Sequence, residues 1–194
     1  MREAEIRRTT KETDIYVKLN LDGSGITKIN TGIGFFDHML NAFGRHGFID
    51  LEVEVKGDLY VDGHHTVEDT GIVIGEALKK ALGDKSGIKR YGSFCLPMDD
   101  SLVLCAIDFC GRPYFNYDLK FSMPMIGELD SSLIREFFYA VSYGAAMNLH
   151  LKQLEGLNDH HIAEAAFKAF AKAVDEAKSF DARVTGALST KGVI

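Results

Sequence analysis

No stretch of this 194-residue chain is apolar for long enough to span a bilayer, so no membrane partner is expected. The first residues, Met1-Arg2-Glu3-Ala4-Glu5-Ile6-Arg7-Arg8, lack the apolar core of a secretory signal. Positive charge is scarce: 22 Lys and Arg stand against 28 Asp and Glu, a net charge of −6. No basic tract offsets that balance. This argues against nucleic acid as the main partner and leaves room for a local pocket that takes a small anion. Cysteine is scarce too. Cys95, Cys105 and Cys110 have no metal-site spacing, and any one disulfide would leave a thiol over. Cys105 and Cys110 sit among apolar residues, so buried free thiols in a reducing cytoplasm are expected.

Against these shortages, 46% of the residues are hydrophobic, ample for a packed core. One short pattern also occurs twice, as His64-His65-Thr66-Val67-Glu68 and His160-His161-Ile162-Ala163-Glu164. Both copies follow a turn and open an apolar, helix-like run. On a helix the first His and the Glu are one turn apart on one face, and the second His points about a quarter-turn away. One copy can thus offer His plus Glu to one metal and a second His to another.

In chain order, residues 13–21 alternate, with Ile15, Val17, Leu19 and Leu21 on one side, as in a half-buried strand. A short strand over 26–32 follows, then a helix from about Phe36 closed by Gly44. A strand from Phe48 to Val55 leads to the first His-His motif, whose helix runs to about Leu82 and stops at Gly83. The second half retraces this path. Strands are expected at 102–109, at Tyr114 to Phe121 and at Met147 to Leu154. A helix is expected from Leu133 to about Ala146. A last helix opens at His160 and carries seven alanines between Ala163 and Ala177.

The halves align on each other. His64 to His160 is an offset of 96 positions, and one element earlier an offset of 98 pairs His38 with Glu136 and Asp50-Leu51 with Asn148-Leu149. The chain therefore reads as a duplicated strand–strand–helix–strand–helix unit. The expected fold is α+β: two tandem halves, about 1–90 and 91–194, each a mixed β-sheet with helices on one face, packed as one domain over residues 1–194.

His64, Glu68, His160 and Glu164 would supply two imidazoles and two carboxylates to one metal. His65 and His161 would start a second site, and the duplication suggests its remaining ligands, since His38 and its counterpart Glu136 occupy matching positions. His46 and His150 fall outside the pattern and are read as structural. Mn, Fe and Zn are all compatible with these residue types, and mixed nitrogen and oxygen ligands with open positions favour Mn. Arg90, Arg112 and Lys191, with Ser189 and Thr190, are the candidates for an anion, since Arg suits bidentate phosphate contacts and Lys acts as a point charge. A metal-storage protein using the same histidines would need none of these cations, and a dimetal hydrolase would exploit the same paired metals.

Several segments together resemble one family. They are Gly34-Phe35-Phe36-Asp37-His38-Met39, Asp62-Gly63-His64-His65-Thr66-Val67-Glu68-Asp69, Gly111-Arg112-Pro113, the run from Asn158 to Phe170 that includes Lys168, and Ser189-Thr190-Lys191-Gly192. They resemble imidazoleglycerol-phosphate dehydratase, the lyase of histidine biosynthesis, over nearly the whole chain. The resemblance implies a manganese enzyme with two Mn2+ per active site. It implies dehydration of D-erythro-imidazoleglycerol phosphate to imidazole acetol phosphate, with the metal-bound imidazole ring as electron sink and a diazafulvene-like intermediate. One Mn would be held by His64, Glu68, His160 and Glu164. The other would be held by His38, His65 and His161, with a further ligand at Glu136, where several relatives carry His. Glu12 matches the family's acid/base carboxylate, and Glu68 and Glu164 join it as catalytic residues. Substrate contacts would come from Glu12, from these ligands other than Glu136, and from Arg90, Arg112, Lys168, Ser189, Thr190, Lys191 and Gly192. The implied assembly is a homo-oligomer of twenty-four subunits built from trimers, with active sites at subunit contacts.

Overall fold

Period-2 alternation in each half yields strands that pair into a twisted sheet, and period-3.6 segments lie across it. The computed structural model describes residues 2–192; Met1, Val193 and Ile194, at the ends of the expected domain, lie outside the described residues. The first half runs β1 (Glu3–Thr9), β2 (Thr13–Asn20), β3 (Thr27–Asn30), α1 (Gly34–Gly47), β4 (Asp50–Gly57) and α2 (His64–Leu82). The second runs β5 (Tyr91–Met98), β6 (Ser101–Asp108), β7 (Tyr114–Asp118), β8 (Met125–Ile126), β9 (Leu129–Asp130), α3 (Leu133–Gly144), β10 (Asn148–Glu155) and α4 (Asp159–Lys178).

The duplication holds at the level of topology. The sheets have orders β1-β2-β4-β3 and β5-β6-β10-β7, and in each the last pair is parallel and the others antiparallel. Early strands match at an offset of 88 (Glu3 to Tyr91, Thr13 to Ser101). The offset becomes 98 from Asp50 to Asn148, because the second half inserts ten residues around the β8–β9 hairpin. It falls to 96 at His64 and His160, where the turn before the helix is two residues shorter in the second half. Inward residues correspond one for one: Ile15, Val17 and Leu19 match Val103, Cys105 and Ile107, all buried. Cys105 thus fills the place of Val17, and its thiol is free and pushed up by burial. Cys110 is also buried and free, and Cys95 is free on the exposed face.

Helices of both halves lie between the two sheets, with α1 packed on α4 and α2 on α3. The α1–α4 contact stacks Phe43 on Phe170 with centroids 5.1 Å apart, and Phe137, Phe138 and Phe167 continue the aromatic seam. Each fully buried Phe contributes roughly 1.5–3 kcal/mol. The α2–α3 crossing is close because Gly75 faces Gly144: a Cβ on Gly75 would lie 2.6 Å from the Val141 carbonyl oxygen. Among the described residues, no helix is long and apolar enough to cross a membrane.

Four local expectations are corrected. Strands β1 and β5 were not foreseen: β1 is an edge strand whose Glu3, Glu5 and Arg7 face solvent, so it carries too few apolar residues to show a core face. Helix α1 begins at Gly34 and passes through Gly44. That glycine is small because a Cβ there would lie 2.5 Å from Thr27 Cγ2, and the helix stops instead at Phe48, which is left-handed at φ 50°. Strand β7 ends at Asp118, where Lys120 N–H turns to the Gln153 side chain. Finally, the β8–β9 hairpin interrupts what sequence showed as plain connection.

Candidate functional site

Each His-His-x-x-Glu copy sits in the first turns of a helix. Asp62 Oδ1 accepts the His64 N–H at 2.8 Å, and Asn158 Oδ1 caps α4 by accepting from His160 N–H at 3.0 Å and His161 N–H at 3.4 Å. The neighbouring Asp159 is buried and accepts the Ser122 and Met123 N–H groups at 3.0 and 2.7 Å, which ties the loop after β7 to the start of α4.

As the spacing predicts, the first His and the Glu of each copy meet one turn apart. His64 Nε2 is 3.5 Å from Glu68 Oε2, and His160 Nε2 is 3.1 Å from Glu164 Oε2. The two copies do not meet each other within the chain. Instead α1 brings His38 Nε2 to 3.5 Å from Glu164 Oε2. Among the described residues, His38, His160 and Glu164 are the one group of three or more potential ligands with atoms all within 4.8 Å of one another. That spread suits side chains converging on one ion at about 2.0–2.2 Å each. Phe35 stands edge-on to both imidazoles, with centroids 6.2 and 5.1 Å away, and forms an apolar wall. Burial works against ionisation of Glu164. Lys168, whose Nζ is 2.6 Å from Oε1, and then His38 and His160 outweigh it and hold the carboxyl below its usual range.

The second histidines are oriented by carboxylates. His65 Nδ1 lies 3.0 Å from Asp58 Oδ2, and this hydrogen bond raises the imidazole above its usual range. His161 Nδ1 lies 2.6 Å from Asp100 Oδ1. Asp100 also accepts the Leu157 and Asn158 N–H groups at 2.7 and 3.0 Å, and these backbone bonds first, with His161, hold it well below the carboxylate range. Carboxylate on Nδ1 leaves Nε2 as the nitrogen to present to a metal. At His65 that nitrogen is 3.8 Å from Glu12 Oε2, and at His161 it is 3.4 Å from Asp99 Oδ2. Glu136 lies on α3 and pairs with Arg135 at 2.9 Å rather than with a histidine. His46 and His150 belong to no ligand group among the described residues.

A cleft of about 730 Å³ brings Arg90, Arg112, Ser189, Thr190 and Lys191 together, and none of the candidate metal ligands lines it. Arg90 makes a fork to Asp108 at 2.7 and 2.9 Å and donates to Leu188 O at 2.7 Å, so it is fixed in place and partly neutralised. Arg112 has no carboxylate partner among the described residues and donates only to Cys110 O at 3.5 Å. Lys168 and Gly192 lie outside the cleft's lining. Sequence reasoning missed Asp58, Asp99, Asp100, Asp108 and Arg183, the last lining the cleft beside Asp181. Only Asp100 left a signal: it is Glu12 displaced by the offset of 88.

Residues 31–174 match the family model described as imidazoleglycerol-phosphate dehydratase. The chain belongs to this family. A protein of that name from Lachnoclostridium phytofermentans is 63% identical over 193 residues, covering 100% of this chain and 98% of its own. One from Paracoccus denitrificans is 56% identical over 195 residues, with both chains covered in full. Among solved structures, imidazoleglycerol-phosphate dehydratase from Staphylococcus aureus superposes with a TM-score of 0.84 at 36% identity, covering 92% of this chain and 99% of that one. The Pyrococcus furiosus counterpart gives 0.84 at 40% identity, covering 97% and 100%. Imidazoleglycerol-phosphate dehydratase is a hydro-lyase of histidine biosynthesis, and its substrate is a phosphorylated imidazole. Among the described residues, the His38–His160–Glu164 group is one that could hold a metal ion.

Proposed function

We propose that this chain dehydrates D-erythro-imidazoleglycerol phosphate to imidazole acetol phosphate with two manganese ions per active site. The observation that carries the reading is the convergence of His38, His160 and Glu164. Nitrogen and oxygen donors of this mix, with positions left over, suit Mn2+. His64 and Glu68 form a matching half-site, and His65 and His161, each held by a carboxylate on Nδ1, add the remaining imidazoles. Glu136 is proposed as a further ligand after leaving Arg135. Bound there, manganese would supply Lewis-acid stabilisation of negative charge on the imidazole ring.

The chain's own residues do the rest. Arg112 and Lys191 bind the phosphate, with Ser189 and Thr190 as hydroxyl donors, the Gly192 backbone beside them and Arg90 locked by Asp108. Glu12 accepts the proton from carbon and returns one to the departing hydroxyl. Glu68 and Glu164 serve as ligands, Lys168 helps hold Glu164 below its usual carboxylate range, and Lys168 is proposed to contact substrate as well. Replacing Arg112 with alanine should raise KM about 10–100-fold with kcat nearly unchanged, since a charged hydrogen bond contributes roughly 1.5–3 kcal/mol. Steady-state kinetics checks this.

Phosphate cleft and metal half-sites lie apart on the chain, yet one small substrate must touch both. This supports active sites completed by neighbouring copies, within an assembly of twenty-four subunits built from trimers. Residues 1–194, with pseudo-repeats of about 1–90 and 91–194, act in it as one domain, in the cytoplasm. Chelation is expected to inactivate the protein and to shift it to smaller species by light scattering; an unchanged size would count against metal-linked assembly. Reloading the apoprotein with Mn2+ tests the cofactor: two ions per chain with recovered turnover is expected, and one ion per chain at full turnover would overturn the two-metal reading.

A further inference from the structure

Glu12 stands at the tip of the turn between β1 and β2, and its neighbour Thr13 points the opposite way, into the protein. The turn is tightly made. Thr10 N–H donates to Thr13 O at 2.8 Å, and Thr10 Oγ1 accepts the N–H groups of Glu12 and Thr13 at 3.1 and 3.0 Å. Thr13 is 2% exposed, and its Oγ1 donates to Asp69 Oδ2 at 2.5 Å. Asp69 is itself buried, and Arg8 Nη1 lies 2.6 Å from the same oxygen. On α2, Asp69 follows His65 by four residues, so the two share a face one turn apart. Adjacent residues of the turn therefore meet adjacent turns of the helix: Glu12 faces His65 and Thr13 is gripped by Asp69. The start of the helix is seated closely as well. Gly57, which pairs with Thr13 in the sheet, admits Thr66, whose Oγ1 would lie 2.0 Å from a Cβ on Gly57.

The second half is an internal control. Its corresponding turn is Met98–Ser101, in which Asp100 takes the place of Glu12 and Ser101 that of Thr13. The residue in Asp69's place, at the offset of 96, is Ala165. The same turn thus forms without the carboxylate, and Ser101 Oγ is buried with no hydrogen-bond partner in the protein. There the tip carboxylate is already fixed, bound to His161 Nδ1 and to two backbone N–H groups. Only the half whose tip carboxylate is otherwise unanchored, Glu12, carries the buried Asp69.

We propose that Asp69 is a positioning residue, which acts through Thr13 to hold Glu12 over Nε2 of His65. The proposal rests on the reading of Glu12 as the proton carrier. A displacement of about 1 Å at a reacting group costs on the order of 10²-fold in rate. Thr13→Val keeps shape and the Arg8–Asp69 pair while deleting the donor. It is expected to lower kcat about 10–100-fold with KM within about threefold and metal content by elemental analysis unchanged. Thr13→Ser, which keeps the hydroxyl, should recover most of the loss. In a Glu12→Gln background Thr13→Val should cost nothing further in kcat, because the group being positioned is gone. Wild-type kcat for Thr13→Val, or an equal loss in both backgrounds, would overturn the positioning role while leaving Glu12's role standing. Near-normal turnover of Glu12→Gln alone would instead remove the proton-carrier reading, and the positioning role with it. If Thr13→Val does not fold, Thr13→Ala, which also deletes the hydroxyl and leaves the Arg8–Asp69 pair in place, carries the same test.

Discussion

Glu12→Gln is expected to lower kcat by about 10²–10⁴-fold, the usual worth of a positioned general acid or base, with metal content and melting temperature unchanged. The amide keeps the size and polarity of the carboxylate and cannot carry a proton. Glu12 is exposed, makes no side-chain hydrogen bond among the described residues, and has His65 Nε2 3.8 Å from its Oε2. A free carboxylate beside a candidate metal-binding imidazole can move between carbon and oxygen of a bound substrate. Asp100, its counterpart, is held by three hydrogen bonds and cannot. Metal content separates the two outcomes that low turnover alone would confuse. A Glu12→Gln protein that lost metal would place Glu12 among the ligands rather than in proton transfer.

Glu164→Gln should have a comparable effect by another route. One oxygen of Glu164 faces both His38 and His160, at 3.5 and 3.1 Å, and the other is 2.6 Å from Lys168 Nζ. Removing the negative charge turns one ligand of three into a weak neutral donor and leaves the Lys168 ammonium, largely buried, beside two imidazoles. Both changes oppose cation binding. Loss of one ion per chain and a fall in turnover of at least about 100-fold are expected, given that even a second-shell partner is worth about 10–100-fold. Elemental analysis of the purified variant checks the first and steady-state assay the second. A variant that kept its full metal content would remove Glu164 from the ligand set.

The parts of this picture that were legible in sequence are those that depend on spacing along one element. His64 with Glu68 and His160 with Glu164 are one turn apart because four residues make a turn, and no tertiary information is needed. The inward faces of β2, β4, β6 and β10 were legible from alternation, and the duplicated α+β fold from the offsets of 96 and 98. Which helices meet was not legible. Spacing gives a helix its face, whereas packing decides that α1 lies on α4, and so His38 stands beside Glu164 rather than His64. The cationic cleft was legible as a set of residues but not as one lying apart from the metal ligands. Asp58 reaches His65 from a loop with no periodicity, and nothing in the sequence marks it. Asp100 was hidden for a different reason. The ten-residue insertion around β8 and β9 changes the offset from 88 to 98, so an alignment anchored on the helices passes over the match with Glu12.

The central claim is metal-dependent removal of water from a substrate that keeps its phosphate. It is tested most directly by incubating the manganese-loaded protein with imidazoleglycerol phosphate and identifying the product by mass spectrometry. A carbonyl product lighter by one water with its phosphate in place is expected, formed only by the metal-loaded protein and lost on chelation. Release of inorganic phosphate, or the same product at the same rate from metal-free protein, would contradict it.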